Sequence, residues 1–195
     1  MNSKLTFFLL VVFSASCSSD YTPKPKGYFH IDLPEPVYID LEDFSYFKFN
    51  TSNQALVEEM KIQPPAMKER NGIGFNLNYP RLNAQIYCSY FRINKSDFPV
   101  YMEDIHQMVY VREKKAKGIK EIEYSYPEQK VFGVVYEIMG DAISPVQFVI
   151  SDSISSFFRG ALYFETSYNR DSIAPILAYI NKDIKVIIES FQWKQ

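Results

Sequence analysis

Between Ile173 and Phe191, the residues Ile173, Ile176, Leu177, Ile180, Ile184, Ile187, Ile188 and Phe191 recur at helical spacing. Lys182, Lys185 and Glu189 fall on the opposite side. This is one apolar stripe about five turns long, and a stripe so wide must be covered by the rest of the chain. Asp171 or Ser172 is placed to cap the helix. Ahead of it stand four runs rich in β-branched and aromatic residues: Ile119–Tyr126, Lys130–Met139, Pro145–Asp152 and Phe157–Thr166. Phe132, Val134, Tyr136 and Ile138 alternate along the second run, as do Val146, Phe148 and Ile150 along the third, the period of a strand with one buried face. Connections this short join antiparallel neighbours. The C-terminal half thus predicts antiparallel strands with a helix laid across them.

The first half reads in the same way. Tyr28–Leu33 and Val37–Ile39 are two extended pieces around Pro34-Glu35-Pro36, and Phe44–Phe49 is a strand by its aromatic content. Asn53–Ile62 is expected as a short helix with Leu56, Val57 and Met60 on one side, stopped by Pro64-Pro65. Gly72–Tyr79 and Ala84–Ile93 are two further strands joined at residues 80–83. A helix follows, with Asp97 as cap, Pro99 in its first turn, Tyr101, Ile105, Met108 and Val109 facing a sheet, and Gly118 as its stop. Strands, helix, four strands, helix is the α+β pattern. The order, with the Ser-Phe-Gln-Trp ending of the last helix, resembles the PsbP/Mog1-like domains, which implies an antiparallel sheet flanked by helices.

The N-terminus carries a different signal. Lys4 precedes an unbroken apolar run of nine residues, Leu5–Phe13, then Ser14-Ala15-Ser16 and Cys17. A membrane-spanning helix takes about 20 residues, whereas a run this short suits a cleaved secretion signal. Cysteine directly after the small residues makes it a lipoprotein junction whose thiol receives the lipid. Residues 1–16 are therefore expected as signal peptide, residues 17–27 as lipidated Cys17 and an extended tether, and residues 28–195 as one α+β domain. Pro23 and Pro25 favour an extended backbone in the tether. At about 3.3 Å per residue, Ser18–Gly27 reach only about 30 Å, which keeps the domain near the membrane. Cys88 is then the only other cysteine, so it has no intramolecular partner and reads as a small buried hydrophobe.

Composition excludes several classes. With 47% apolar and 16% aromatic residues among 195, the chain can fill a large core. Its formal charge of −2 becomes −3 once Lys4 leaves with the signal, and no Lys/Arg cluster points to nucleic acid. Neither a phosphate loop, a GxSxG elbow, an HExxH helix nor a paired-cysteine motif occurs. His30 stands near Asp32, and His106 follows Glu103 and Asp104; two scattered histidines predict no metal site. Asp141, Asp152 and Glu165 are the carboxylates available for acid–base work, which depends on a mutual distance that spacing does not give. Ser144, Ser151, Ser153, Ser155 and Ser156 have no companion base and read as turn residues. The expectation is no catalytic residue, no cofactor and no metal.

Several stretches taken together carry a resemblance: Tyr21–Pro34 after the cysteine, Gly140-Asp141-Ala142-Ile143-Ser144-Pro145-Val146-Gln147-Phe148, Phe158–Phe164, and Asn169-Arg170-Asp171-Ser172-Ile173-Ala174-Pro175. Across its whole length the chain resembles the GldD family of gliding-motility lipoproteins of the Bacteroidetes. The resemblance implies a non-enzymatic accessory of the machinery that moves adhesins along the cell surface, interdependent with type IX secretion. It also implies other envelope proteins as partners, and palmitate-type acylation at Cys17 as the one functional position carried over. Asp141, Ser144, Asn169 and Arg170 are the candidate partner contacts. An equally open reading has Gly140, Pro145 and Pro175 shaping turns while Asn169, Asp171 and Ser172 cap the helix. Surface export of such lipoproteins goes with an acidic run after the cysteine; here only Asp20 is present, so the periplasmic face of the outer membrane is expected. Two alternatives stay open. One is an anchored hydrolase or binding protein for cell-wall or glycan material, marked by a converging acidic or His-lined cleft. The other is a lipoprotein assembly chaperone, marked by a large exposed apolar patch.

Overall fold

The computed structural model describes residues 32–60, 67, 72–111, 116–165 and 170–194. The expected signal peptide, Cys17, the tether, His30 and Asn169 lie outside them. In chain order the elements are β1 (Tyr38–Leu41), β2 (Phe47–Ser52), β3 (Leu56–Glu59), β4 (Ile73–Tyr79), β5 (Ala84–Arg92) and α1 (Phe98–His106). They continue with β6 (Ala116–Tyr126), β7 (Val131–Gly140), β8 (Val146–Ser151), β9 (Ser156–Phe164), α2 (Arg170–Ser190) and β10 (Gln192–Trp193). Seven strands form one sheet in the order β3-β4-β5-β9-β8-β7-β6, and β1-β2-β10 form a second. Every strand pairing is antiparallel. The chain has the α+β fold that its pattern predicts.

The large sheet is covered on both faces. Val134, Tyr136, Ile138, Val149 and Phe157 pack on one face beneath Tyr101, Ile105 and Val109 of α1 and the wider helical turn that continues it, Gln107–Val111. On the other face Phe75, Leu77, Ile86, Val146, Phe148, Ile150 and Phe158 meet Leu177, Ile180, Ile184, Ile187 and Ile188 of α2. Beside α2 lies the small sheet, whose Phe47 and Phe49 are fully buried against the same surface. Phe148 lies flat across β9 at Gly160, where a Cβ would come within 2.2 Å of its ring. Only glycine lets the ring into that position.

Two hairpins share one device. Pro80–Leu82 and Pro127–Gln129 are short helical turns, closed by Asn83 (φ 47°) and Lys130 (φ 53°) in the left-handed region. Proline sets the first φ of each turn, and the left-handed residue redirects the chain into the return strand.

Several expectations are corrected. Asn53–Glu59 is not helical: Ala55 N–H bonds Ser52 C=O in a turn, and Leu56–Glu59 pair with Phe75–Asn78 as edge strand β3. A helix of under three turns is a poor competitor to a ladder offered by β4. The strand expected at Phe44–Phe49 is shifted to Phe47–Ser52, because its register is set by β1 and β10. Gly118 does not stop a helix but sits inside β6, next to a register irregularity at Ala116/Gly118. Asp97 makes no capping bond to α1; its carboxylate instead accepts from Asn94 N–H (3.4 Å) and the Ser96 hydroxyl (3.2 Å). α2 starts at Arg170, so Asp171, Ser172 and Pro175 lie within the helix rather than before it.

Candidate interaction site

The β7–β8 loop and the end of β9 lie at one end of the large sheet, since Val146 at the start of β8 pairs with Leu162 near the end of β9. The topology therefore brings the stretches Gly140–Phe148 and Phe158–Phe164, both named from sequence, to the same end. They do not present all four candidates. Asp141 is exposed, next to Ile143, which is 69% exposed. Ser144 is fully buried, and its hydroxyl donates to Val146 C=O at 3.2 Å. Its place is to hold the turn, so as an outward contact it is corrected. Arg170 opens α2, and Asn169 lies outside the described residues. Gly140, at φ 97°, turns the chain out of β7 as expected.

The three carboxylates do not converge. Asp141 and Glu165 are near that same end, whereas Asp152 follows the far end of β8. The Asp152 carboxylate is committed to its own turn. It accepts from the N–H groups of Ile154 (2.9 Å), Ser155 (2.8 Å) and Ser156 (2.9 Å) and from the Ser155 hydroxyl (2.6 Å). Partial burial alone raises its pKa, but these donors outweigh it and hold the group below the usual carboxylate range. The turn also needs Ser153 in the left-handed region (φ 64°) and Ser151, whose hydroxyl donates to Ser156 C=O at 2.8 Å. The serines here build a turn.

His106 stacks on Tyr110 (4.6 Å between centroids), and the Tyr110 hydroxyl donates to the Glu121 carboxylate. That bond pushes the Tyr110 pKa up to about 12. No cluster of three or more potential metal ligands occurs among the described residues. Cys88 is buried, and burial pushes its thiol pKa well up, away from the range of reactive thiolates.

One buried polar cluster escaped sequence reasoning. Asp183 faces inward from α2 with no exposed surface. The Tyr38 hydroxyl of β1 donates to its carboxylate at 2.8 Å, and the Ser52 and Tyr79 hydroxyls close around it. Burial raises the Asp183 pKa, and the three hydroxyls only partly offset that. At about 100° per residue Asp183 falls about 20° from Ile176, on the border of the apolar stripe, and that was the signal a helical projection offered.

Among the clefts that the described residues line, three lie beside these elements. One of about 640 Å³ lies between Phe98 and Met102 of α1 and the side chains of Glu121, Glu123 and Phe132. A second, of about 240 Å³, lies between Ile122, Tyr126 and Val135 on one side and Ile184 and Ile188 on the other. Both are bordered by β6, one on each face of the sheet. A third, of about 710 Å³, holds Arg92 over the Tyr46 ring (5.4 Å) beside Trp193, whose indole donates to Lys130 C=O at 2.9 Å.

Among known proteins, residues 18–193 match the family described as "Gliding motility lipoprotein GldD". Comparison with curated proteins returns no match. Among solved structures, the chain is similar to the solution structure of cyanobacterial PsbP (CyanoP) from a Synechocystis species. The identity is 10%, the TM-score 0.47, and the likeness covers 85% of this chain and 97% of that one.

Proposed function

The chain belongs to the GldD family of gliding motility lipoproteins, and from that premise we propose that it serves the motility machinery by protein contact and not by catalysis. Membership makes it a membrane-anchored envelope protein with an accessory part in gliding. The finer reading is that acylated Cys17 and a short tether hold the domain at the periplasmic face of the outer membrane, where it engages other gliding and type IX secretion proteins. The observation that carries the reading is the family match across residues 18–193, which takes in tether and domain alike. The site geometry supports it. Of the three carboxylates available for acid–base work, Asp152 is spent on its own turn, and Asp141 and Glu165 stand a strand's length from it.

Photocrosslinking in living cells from Asp141, followed by identification of the captured proteins, tests the reading. Envelope proteins of the gliding and secretion machinery are the expected products. Loss of motility from Asp152→Asn, Glu165→Gln or His106→Ala, in a protein of normal stability and normal partner capture, would replace it with an enzyme.

A further inference from the structure

β6 is the longest strand among the described residues, eleven residues from Ala116 to Tyr126, and it is the last in the sheet. β7 bonds one of its edges, and no described strand bonds the other. The ladder to β7 is regular from Gly118 to Tyr126, with its one irregularity at the start, and no proline interrupts it. The opposite edge of the sheet, β3, spans only four residues. Long regular edges carry a row of outward N–H and C=O groups, which proteins usually blunt with short strands, bulges, proline or charged side chains. From Gly118 onward β6 has only the last of these, in Lys120, Glu121 and Glu123.

Each face of this edge borders a cleft, and the two clefts differ in chemistry. On the α1 side, Glu121 and Glu123 line the cleft with Phe98 and Met102. The Glu123 side chain makes no ion pair or hydrogen bond to any described residue, while its backbone pairs with Val134. On the α2 side, Ile122 and Tyr126 face Ile184 and Ile188, and Ile122 is 38% exposed. A strand added to β6 would drop alternate side chains into the two clefts, acidic on one face and apolar on the other. Main-chain bonds would supply affinity and the alternation specificity.

We propose that the free edge of β6 is a strand-addition site for an extended segment of a partner protein in which basic residues alternate with apolar ones. The inference rests on the interaction reading above and names the surface and the chemistry of the partner. A second copy of this chain fits poorly. Pairing two β6 edges about a two-fold axis normal to the sheet sets Glu121 opposite Glu121, Glu121 opposite Glu123, or Glu123 opposite Glu123 in the registers centred on residues 121, 122 and 123, and like charges facing each other destabilise a sheet. Asp32 and Pro34, among the first described residues, lie against Tyr79 at the end of β4 and against Tyr179, and β6 stands five strand positions away, about 24 Å at the usual spacing.

The test uses the full-length lipidated protein in detergent and a fluorescein-labelled nine-residue peptide alternating lysine with valine, read by fluorescence anisotropy. Three comparisons decide the matter: the same peptide N-methylated at alternate residues, a peptide alternating glutamate with valine, and the Glu121→Lys/Glu123→Lys protein. The lysine–valine peptide is expected to bind, with at least tenfold loss in each comparison and a melting temperature for the double variant no lower than that of Tyr110→Phe, which removes the same Tyr110–Glu121 bond. Equal binding of the N-methylated peptide would show plain charge attraction and overturn strand addition. Equal binding to the double variant would overturn the placement on β6, and a concentration-dependent dimer that the peptide dissolves would overturn the occupant, replacing the partner segment with a second copy. A photocrosslinker at exposed Ser125 separates this inference from the broader one. If Ser125 captures nothing while Asp141 captures envelope proteins, the edge is wrong and the interaction reading stands. If neither position captures a partner, both fall.

Discussion

Phe47→Ala is the substitution that most directly probes how the two sheets are joined. Phe47 lies on β2 of the small sheet with no exposed surface, and its ring meets those of Phe44 (4.8 Å), Phe158 (5.2 Å), Tyr90 (5.3 Å), Phe191 (5.7 Å), Phe49 (6.1 Å) and Phe75 (6.1 Å). These partners come from the small sheet, the large sheet and the end of α2, so the ring touches every layer on that face. Truncating a buried phenylalanine costs about 3–5 kcal/mol, depending on how far the site can collapse. Six rings fixed on separate elements cannot close over the void, and favourable ring pairs are lost besides. The upper part of the range, about 4–5 kcal/mol, is therefore expected. In a domain of this size each kcal/mol moves the midpoint by roughly 2–4 °C, which gives a fall of roughly 10–15 °C. Thermal unfolding followed by circular dichroism measures it, with Phe47→Leu as a milder control. Hydrogen exchange should show β1 and β2 losing protection ahead of β4, β5 and β9. A fall under about 3 °C, or uniform loss of protection across both sheets, would refute the view that this ring fastens the small sheet to the large one.

Ile180→Asp buries an unpaired charge at a fully buried position of α2 and should cost several kcal/mol; Lys182→Asp, on the exposed side, should leave the melting temperature unchanged. Cys17→Ala should abolish labelling by palmitate analogues and release the protein from the membrane fraction, and persistent labelling would place the lipid elsewhere. The two perturbed aspartates bend the pH profile in opposite senses. Asp152, held low by its turn, contributes stability that is present above the unfolded pKa of about 3.9 and lost as pH falls through its folded value. Asp183, held high by burial, contributes stability that is present below about 3.9 and lost as pH rises through its folded value. Asp183→Asn should accordingly flatten the neutral side of a melting-temperature profile, and Asp152→Asn the acidic side; no change in either profile would contradict the environments described. EDTA should leave the melting temperature unmoved, and a fall of several degrees would reveal a metal site.

What the sequence made legible was whatever local periodicity controls. The α2 stripe is buried at every named position except half-buried Ile176, because a 3.6-residue repeat leaves one choice of face. The strands β4 to β9 lie within a few residues of their expected ends, since each is bracketed by proline, glycine or a polar turn. Failures came where a distant partner decided the outcome. Leu56–Glu59 has a helical side to show, but an open edge of β4 was waiting for it. Gln192–Trp193 is too short to read as anything until Phe47 and Lys48 pair with it. Ser144 looks like a polar loop residue, yet the chain folds over it. The edge position of β6 could not be read at all, since strand order in a sheet is not written in any one strand. Its alternation of Glu121 and Glu123 with Ile122 and Tyr124 was visible; that both sides of the alternation face clefts was not.

The buried acid on α2 makes sense only together with the direction from which the chain enters. β1 is a four-residue strand that β2 alone bonds among the described strands, and it is the first of them in the chain. Its ladder to β2 is short, and Ile39 and Val37 are more than half exposed, so apolar packing holds it weakly. Tyr38 reaches past β2's neighbourhood to donate into Asp183, on the helix that anchors the core. A hydrogen bond to a charged or partly charged acceptor is stronger than one between neutral groups, and a buried acceptor left alone is expensive. Removing Tyr38 from its place therefore strips a buried carboxyl at the centre of α2 of one of its donors. The cost of that burial couples the first strand after the tether to the longest helix. The first described strand is thereby fixed to the core of the domain, at the opposite side of the large sheet from β6.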